Sequence, residues 1–179
     1  MSEVHDISRY AFTERDHLFI DTSVWYLVNG PAASRDTRTL QYSSGLSRAR
    51  QSGSKLYTDV LILSEFMNRY ARFLSRKQGY SSDDFKRFRQ TTEWSTASTE
   101  IAAAAQRILK RSICISTNFE NIDHDALMSE FETGSLDFND QVLTRLCKVR
   151  NLTFVTDDGD FVNSGLDLIT GNKRLLASA

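Results

Sequence analysis

The chain of 179 residues carries 22 Lys+Arg against 23 Asp+Glu, which leaves a net charge of −1. This balance excludes an overall positive field that would draw the chain to nucleic acid or an anionic membrane, so such binding requires local clusters. With 40% hydrophobic residues and one proline, the chain is long enough for one ordinary core, and we interpret residues 1–179 as a single domain.

Neither a membrane anchor nor a zinc or disulfide framework is indicated. No apolar run approaches the roughly 18 residues that a membrane helix requires, and residues 1–17 lack the apolar core of a signal peptide. Cys114 and Cys147 form no CxxC pair, and the three histidines lack zinc-ligand spacing. We therefore expect a reduced, cytoplasmic protein without membrane contact.

Short apolar runs rich in β-branched and aromatic residues alternate with longer segments of helical period, which predicts parallel α/β architecture. Residues 1–16 are interpreted as an N-terminal extension. The predicted strands, of which 113–117 and 152–156 read as buried, are 17–21, 55–59, 113–117, 152–156 and 166–170.

The segments between these strands have helical patterns. After 55–59, apolar residues fall on one stripe that should cover the sheet. The residues of this stripe are Leu63, Phe66, Met67, Tyr70 and Leu74. The other predicted helices are a short one after residue 21, one within 34–54, two over 82–94 and 95–112, and two over 123–132 and 138–150.

Acidic residues follow the predicted strands. Asp21 ends the first strand, Asp158 follows the strand that ends at Thr156, and Asp140 lies near the start of the preceding helix. Glu65 lies in the first two turns of the helix after 55–59. Because functional crevices of open parallel sheets lie outside the carboxyl ends of the strands, we expect these four acids to converge.

Converging carboxylates repel one another unless a cation or a proton offsets their charge. Mg²⁺ or Mn²⁺ fits such a site, because both ions prefer oxygen ligands and can activate water for attack on phosphorus. The sequence therefore favours metal-dependent hydrolysis of phosphodiesters.

Each acid also has a structural interpretation. Asp140 in "FND" suits the N-cap of an apolar helix, and the acids of "TDDGDF" suit a turn with Gly159 at positive φ. Glu65 is flanked almost entirely by apolar residues, so we expect its carboxylate to face a specific partner rather than open water.

Four segments, in this order, resemble the PIN domain family of metal-dependent nucleases. They are "FIDTSVW", "LILSEFMNR", "LDFNDQVL" and "FVTDDGDF". The resemblance extends from about residue 17 to about residue 170. It implies a three-layer α/β/α fold with a central, mostly parallel sheet of about five strands flanked by helices, and the acidic site at the carboxyl edge of the strands.

The resemblance also implies roles for individual residues. The catalytic and metal-binding carboxylates are Asp21, Glu65, Asp140 and Asp158, with Asp160 as a further metal ligand. The supporting residues are Thr22, Ser23, Asp137 and Thr156, and Asp157 is an ambiguous neighbour of Asp158. Gln141 departs from the alanine that is usual in this family, although the adjacent carboxylate of Asp140 is retained.

The implied activity is a Mg²⁺- or Mn²⁺-dependent endoribonuclease that hydrolyses RNA. Many PIN proteins that resemble this chain are toxins of toxin–antitoxin pairs, so an antitoxin protein and a homodimer are expected partners. Such toxins are generally smaller, and residues 82–112 form an additional helical segment. The alternatives are a non-catalytic RNA-binding or assembly module with a structural metal site and a structure-specific DNA nuclease, which has less support because no DNA-binding motif is added.

Local basic clusters are present despite the neutral balance. Arg69, Arg72 and Arg76 follow Glu65 at helical spacing and form a predicted RNA-binding stripe. A second cluster interleaves basic and aromatic residues over 85–89, where rings either stack on bases or are buried beneath a solvated face. The buried interpretation is favoured there.

Overall fold

The computed structural model describes residues 2–31, 36–134 and 136–178. It contains a six-stranded sheet in the order β1-β6-β5-β2-β3-β4, and neighbouring strands pair in parallel. The strands are β1 Val4–Asp6, β2 His17–Ile20, β3 Lys55–Thr58, β4 Ile113–Cys114, β5 Thr153–Val155 and β6 Leu168–Thr170. Each of the five predicted strands overlaps a strand of the sheet, and one more strand is added.

The added strand, β1, lies within the segment interpreted as an N-terminal extension. Val4 is in register with Leu168 of β6, so β1 forms one edge of the sheet. Ile7, which follows this strand, is completely buried. Val4–Asp6 are therefore part of the sheet, and Ile7 is part of the core.

The prediction of a buried strand over all of 113–117 is wrong. β4 has only two residues, and Ile113 is 48% exposed. It pairs with β3 alone, so it is the other edge of the sheet and leaves one side open to solvent.

Eight helices are assigned within the described residues, and they flank the sheet to give the three-layer α/β/α arrangement. They are α1 Thr22–Asn29, α2 Thr37–Gln51, α3 Val60–Lys77, α4 Phe85–Phe88, α5 Thr92–Leu109, α6 His124–Glu132, α7 Phe138–Arg150 and α8 Lys173–Leu176. Residues 34 and 35 of the predicted helical segment lie outside the described residues. Among the described helices, none has the length and apolarity needed to cross a membrane.

Helix α3 begins directly after β3 because Asp59 caps it. The Asp59 side chain accepts a hydrogen bond from the Ile62 amide at 2.9 Å, which satisfies one of the free donors of the first turn. Phe66 and Tyr70 then face the core as predicted, whereas Met67 is 40% exposed, contrary to its assignment to the buried stripe.

The order of the strands positions the candidate site. From β2 the chain adds β3 and β4 on one side of the sheet, and it later adds β5 and β6 on the other, where β6 pairs with the earlier strand β1. The carboxyl ends of β2 and β5 therefore lie at the point where the strand order reverses, where open α/β sheets usually bind ligands. Asp21 follows β2, and Thr156 follows β5.

Candidate active site

Asp21 is the buried centre of the carboxyl edge, with 6% of its surface exposed. The hydroxyls of Ser23 and Thr156 donate to its Oδ2 at 2.5 and 2.6 Å. Burial raises the pKa of Asp21 from 3.8 to about 6, against the lowering effect of these two hydroxyls, and the charges of Glu65 and Asp158 raise it further. Two hydroxyls thus fix a carboxylate that its surroundings make costly to ionise.

Asp140 lies in the first turn of α7, and it is not the cap of this helix. Asp137 is the N-cap, since its Oδ1 accepts a hydrogen bond from the Asp140 amide at 2.9 Å. The capping interpretation therefore applies to Asp137, and the Asp140 carboxylate is left available for another role. Burial raises the pKa of Asp140 from 3.8 to about 8, and the charges of Asp137, Asp21, Asp158 and Glu65 add to this rise.

The loop after β5 brings Asp158 to the same edge. Its amide donates to Thr156 Oγ1 at 2.9 Å, and its Oδ1 accepts from the Asp160 amide at 3.0 Å, which opens a 3₁₀ turn over Gly159–Asn163. Both carboxylates are exposed to solvent. The expectation of positive φ at Gly159 is wrong, because this residue is not among the glycines with positive φ.

Asp157, the ambiguous neighbour, is held by structural contacts. The Tyr42 hydroxyl lies 2.9 Å from its Oδ1, and Arg38 forms an ion pair with its Oδ2 at 3.1 Å. The Asn172 side chain donates to its carbonyl oxygen at 2.6 Å. These contacts tie the loop to α2 and to the chain after β6, so Asp157 supports the position of Asp158.

Glu65 is exposed to solvent on α3, and within the described residues it has neither a hydrogen bond nor an ion pair. The expectation of a specific partner for its carboxylate is therefore wrong for this structure. Its flanking apolar residues lie on other faces of the helix, as the complete burial of Phe66 shows. The charge of Glu65 nevertheless raises the pKa of both Asp21 and Asp140, so it belongs to the same electrostatic cluster.

A basic groove begins at Glu65. It has a volume of about 410 Å³ and is lined by Glu65, Asn68, Arg69, Arg72 and Arg76. All three guanidinium groups lie on exposed residues, and none of them forms an ion pair with a described carboxylate. The predicted stripe thus forms one continuous positive surface that leads away from the acids.

Sequence reasoning missed Asp59, which occupies the same position after β3 that Asp21 occupies after β2. Asp59 is completely buried, burial raises its pKa, and its Oδ2 has no hydrogen-bond partner among the described residues. The signal was present, because "YTDV" repeats the pattern of "FIDT". Asp59 fixes the start of α3 and thereby the position of Glu65. Thr22 supports this junction, since its hydroxyl donates to the Ile62 carbonyl at 3.4 Å.

The donor set fits a hard divalent cation, although within the described ranges no three acidic, histidine or cysteine side chains already lie in metal-binding geometry. Asp21 Oδ1 accepts no hydrogen bond from the described residues, because both hydroxyls use Oδ2. The site offers only oxygen donors of like charge. Burial, followed by repulsion from the other carboxylates, raises the pKa of Asp21 and Asp140, and a bound cation would relieve this repulsion.

Comparisons with known proteins agree with this architecture. The PIN domain family model matches residues 18–166. Among solved structures, the chain is similar to the crystal structure of PAE2754 from Pyrobaculum aerophilum, with a TM-score of 0.52, 14% sequence identity, and coverage of 91% of this chain and 95% of that one. Similarity at this identity shows the fold alone. No curated protein matches the chain.

Proposed function

Because the chain belongs to the PIN domain family, a nuclease superfamily, we propose that it is a metal-dependent endoribonuclease. The observation that carries this proposal is the buried, hydroxyl-bound position of the Asp21 carboxylate. A carboxylate that is 6% exposed, fixed by two hydroxyls and surrounded by like charges is unfavourable to ionise without a counter-ion. Sites that maintain such groups are frequently functional.

Asp21, Glu65, Asp140 and Asp158 would hold Mg²⁺ or Mn²⁺, with Asp160 at the rim. When bound, the cation supplies activation of water and neutralises charge that develops on phosphate oxygens. Ser23 and Thr156 orient Asp21 through its Oδ2. Asp137 fixes the first turn of α7 and adds negative charge beside Asp140.

In this proposal the basic groove binds the RNA backbone. Arg69, Arg72 and Arg76 carry charges that are free of described carboxylates, so they can neutralise phosphates along one strand. Glu65 lines the same groove, and the scissile phosphate would therefore lie where the arginine stripe meets the carboxylates.

The test is cleavage of matched RNA and DNA with Mg²⁺ or Mn²⁺ and with EDTA as a control. The proteins are wild type, Asp21→Asn, Asp140→Asn and the matched surface variant Asp83→Asn, whose parent residue is exposed. We expect cation-dependent RNA cleavage by wild type and Asp83→Asn, and a loss of about 100-fold or more in the other two.

Each alternative has its own outcome in this test. DNA cleavage without RNA cleavage would identify a DNA nuclease, and salt-dependent RNA binding without cleavage would identify a binding module. Cleavage that persists in Asp21→Asn would remove Asp21 from the site.

A toxin role, an antitoxin partner and a homodimer stay predictions. If the chain is a toxin, induced expression of wild type should arrest growth of a bacterial host, and expression of Asp21→Asn should not. Equal growth in the two cultures, with equal amounts of protein, would argue for an RNA-processing enzyme instead.

A further inference from the structure

A second concave site lies beside the basic groove, between α3, α4 and α5. It has a volume of about 220 Å³, and its apolar walls include Ala71, Phe85, Trp94 and Ile101. Ala71 and Ile101 form a buried floor, whereas Phe85 and Trp94 are only half-buried and present ring surface to the pocket. The centres of the Phe88 and Trp94 rings lie 5.6 Å apart, and this packing fixes the wall of the pocket that Trp94 forms.

Two arginines lie on the aromatic walls of this pocket. The Arg89 guanidinium lies 5.7 Å from the centre of the Trp94 ring, and the Arg72 guanidinium lies 5.0 Å from the centre of the Phe85 ring. Neither arginine forms an ion pair with a carboxylate in the described part of the chain. Aromatic rings and guanidinium planes are the surfaces on which proteins stack single-stranded bases.

The pocket and the basic groove are neighbours that share a lining residue. Asn68 lines both, and Arg72 lines the groove while it contacts Phe85 of the pocket wall. Asn68 follows Glu65 by three residues, which corresponds to about 4.5 Å along the helix axis. A strand whose phosphates follow the arginines would therefore pass the pocket close to Glu65. The Asn68 amide offers both a donor and an acceptor to the edge of a base.

We propose that this pocket binds one unpaired nucleobase of the RNA whose phosphates lie in the basic groove. The inference rests on the proposed ribonuclease function, because it takes RNA as the ligand. A base within a duplex is stacked and paired, so it does not enter the pocket. The protein therefore prefers single-stranded RNA, and α4 and α5 contribute to the choice of substrate.

The test fills the pocket without changing its charges. Ser98 is half-buried on α5 and lines the pocket, so Ser98→Leu occupies the space of the base, while Thr99→Leu adds the same side chain at an exposed neighbouring position. Binding is measured by fluorescence anisotropy with Mg²⁺ in the Asp21→Asn background, in which we expect cleavage to be at least about 100-fold slower. The two ligands are single-stranded RNA and the same ribose-phosphate chain with consecutive bases removed.

We expect Ser98→Leu to weaken binding of the base-bearing RNA by about 5- to 150-fold, the range that corresponds to one base–aromatic stack. Removal of the bases should weaken RNA binding by a similar factor in the Thr99→Leu control. In Ser98→Leu, removal of the bases should change the affinity little. The salt dependence of binding should stay the same in both variants, because the phosphate contacts are untouched.

Tryptophan fluorescence provides a second readout that is independent of pocket filling. Of the two tryptophans, Trp25 is 1% exposed, so quenching by RNA should come from Trp94. Quenching that requires bases and disappears in Trp94→Phe supports the proposal.

Equal affinity for the two ligands, or equal behaviour of Ser98→Leu and Thr99→Leu, would overturn the base pocket. If RNA still binds with steep salt dependence, the ribonuclease proposal survives, whereas absence of RNA binding overturns both. A change in sedimentation with Ser98→Leu, without any change in RNA binding, would assign the pocket to a contact between copies of the chain and also overturn the proposal.

Discussion

Replacement of Asp21 by asparagine should make the metal-free protein more stable at alkaline pH while it removes activity. Burial raises the pKa of Asp21 from 3.8 to about 6 in the folded state. Between these values the folded state binds more protons than the unfolded state, so stability falls as pH rises through this window and stays reduced above it. One pKa unit corresponds to about 1.4 kcal/mol, so the ionised Asp21 lowers the free energy of unfolding by about 3 kcal/mol.

The asparagine side chain retains an oxygen that can accept from Ser23 and Thr156, so the comparison isolates the charge. Urea unfolding in EDTA at several values from about pH 4 to about pH 8 measures the effect. The gap between Asp21→Asn and wild type should widen by about 2.5 kcal/mol over this range, because a small part of the effect is already present at about pH 4. Asp83→Asn, an exposed control, should follow wild type within about 0.5 kcal/mol. Parallel curves for Asp21→Asn and wild type would refute the reasoning.

Three further predictions concern the acids and the N-terminal segment. Mg²⁺ should raise the melting temperature more at about pH 8.5 than at about pH 6, because protons compete for Asp140, whose pKa is raised to about 8; an equal shift in scanning fluorimetry would contradict this. Asp157→Ala should lower the free energy of unfolding by about 1–3 kcal/mol, whereas Asp158→Ala should chiefly weaken Mg²⁺ binding, and urea unfolding together with calorimetric titration separates the two effects. Arg48→Ala removes donors to two carbonyl oxygens of the segment between β1 and β2, so hydrogen exchange over residues 4–12 should become faster, and unchanged exchange would show that other contacts hold this segment.

The sequence predicted the convergence of the acids because the signal is local. Asp21 and Asp158 each follow an apolar run, and parallel strands place such positions at one edge of the sheet. The order of strands and helices followed from the same periodicities. The first residue of α7 was harder to predict, since Asp137 and Asp140 are three residues apart and both suit an N-cap. Only the observed start of the helix distinguishes them.

Features that depend on distant partners were not predictable. Asp157 and Asp158 are adjacent and chemically identical, and the difference between them arises from Tyr42, which lies 115 residues away from Asp157 in the chain. The three residues of β1 are all half-buried, so buried and exposed residues do not alternate along this strand. The sequence therefore contained no strand pattern that would predict the pairing of β1 with β6. The exposed position of Glu65 was misjudged, because apolar neighbours in sequence lie on other faces of a helix.

The pairing of β1 with β6 has a consequence for biosynthesis. Glu3 and Asp167 contact each other across 164 residues, so β1 is made before the other five strands of the sheet but can pair only after β6 has been made. Contacts of such long sequence separation slow folding, and β1 stays unpaired until β6 has been made. The central strands β2, β3 and β5 can associate earlier. The edge of the sheet that β1 forms can therefore close only after translation has passed Thr170.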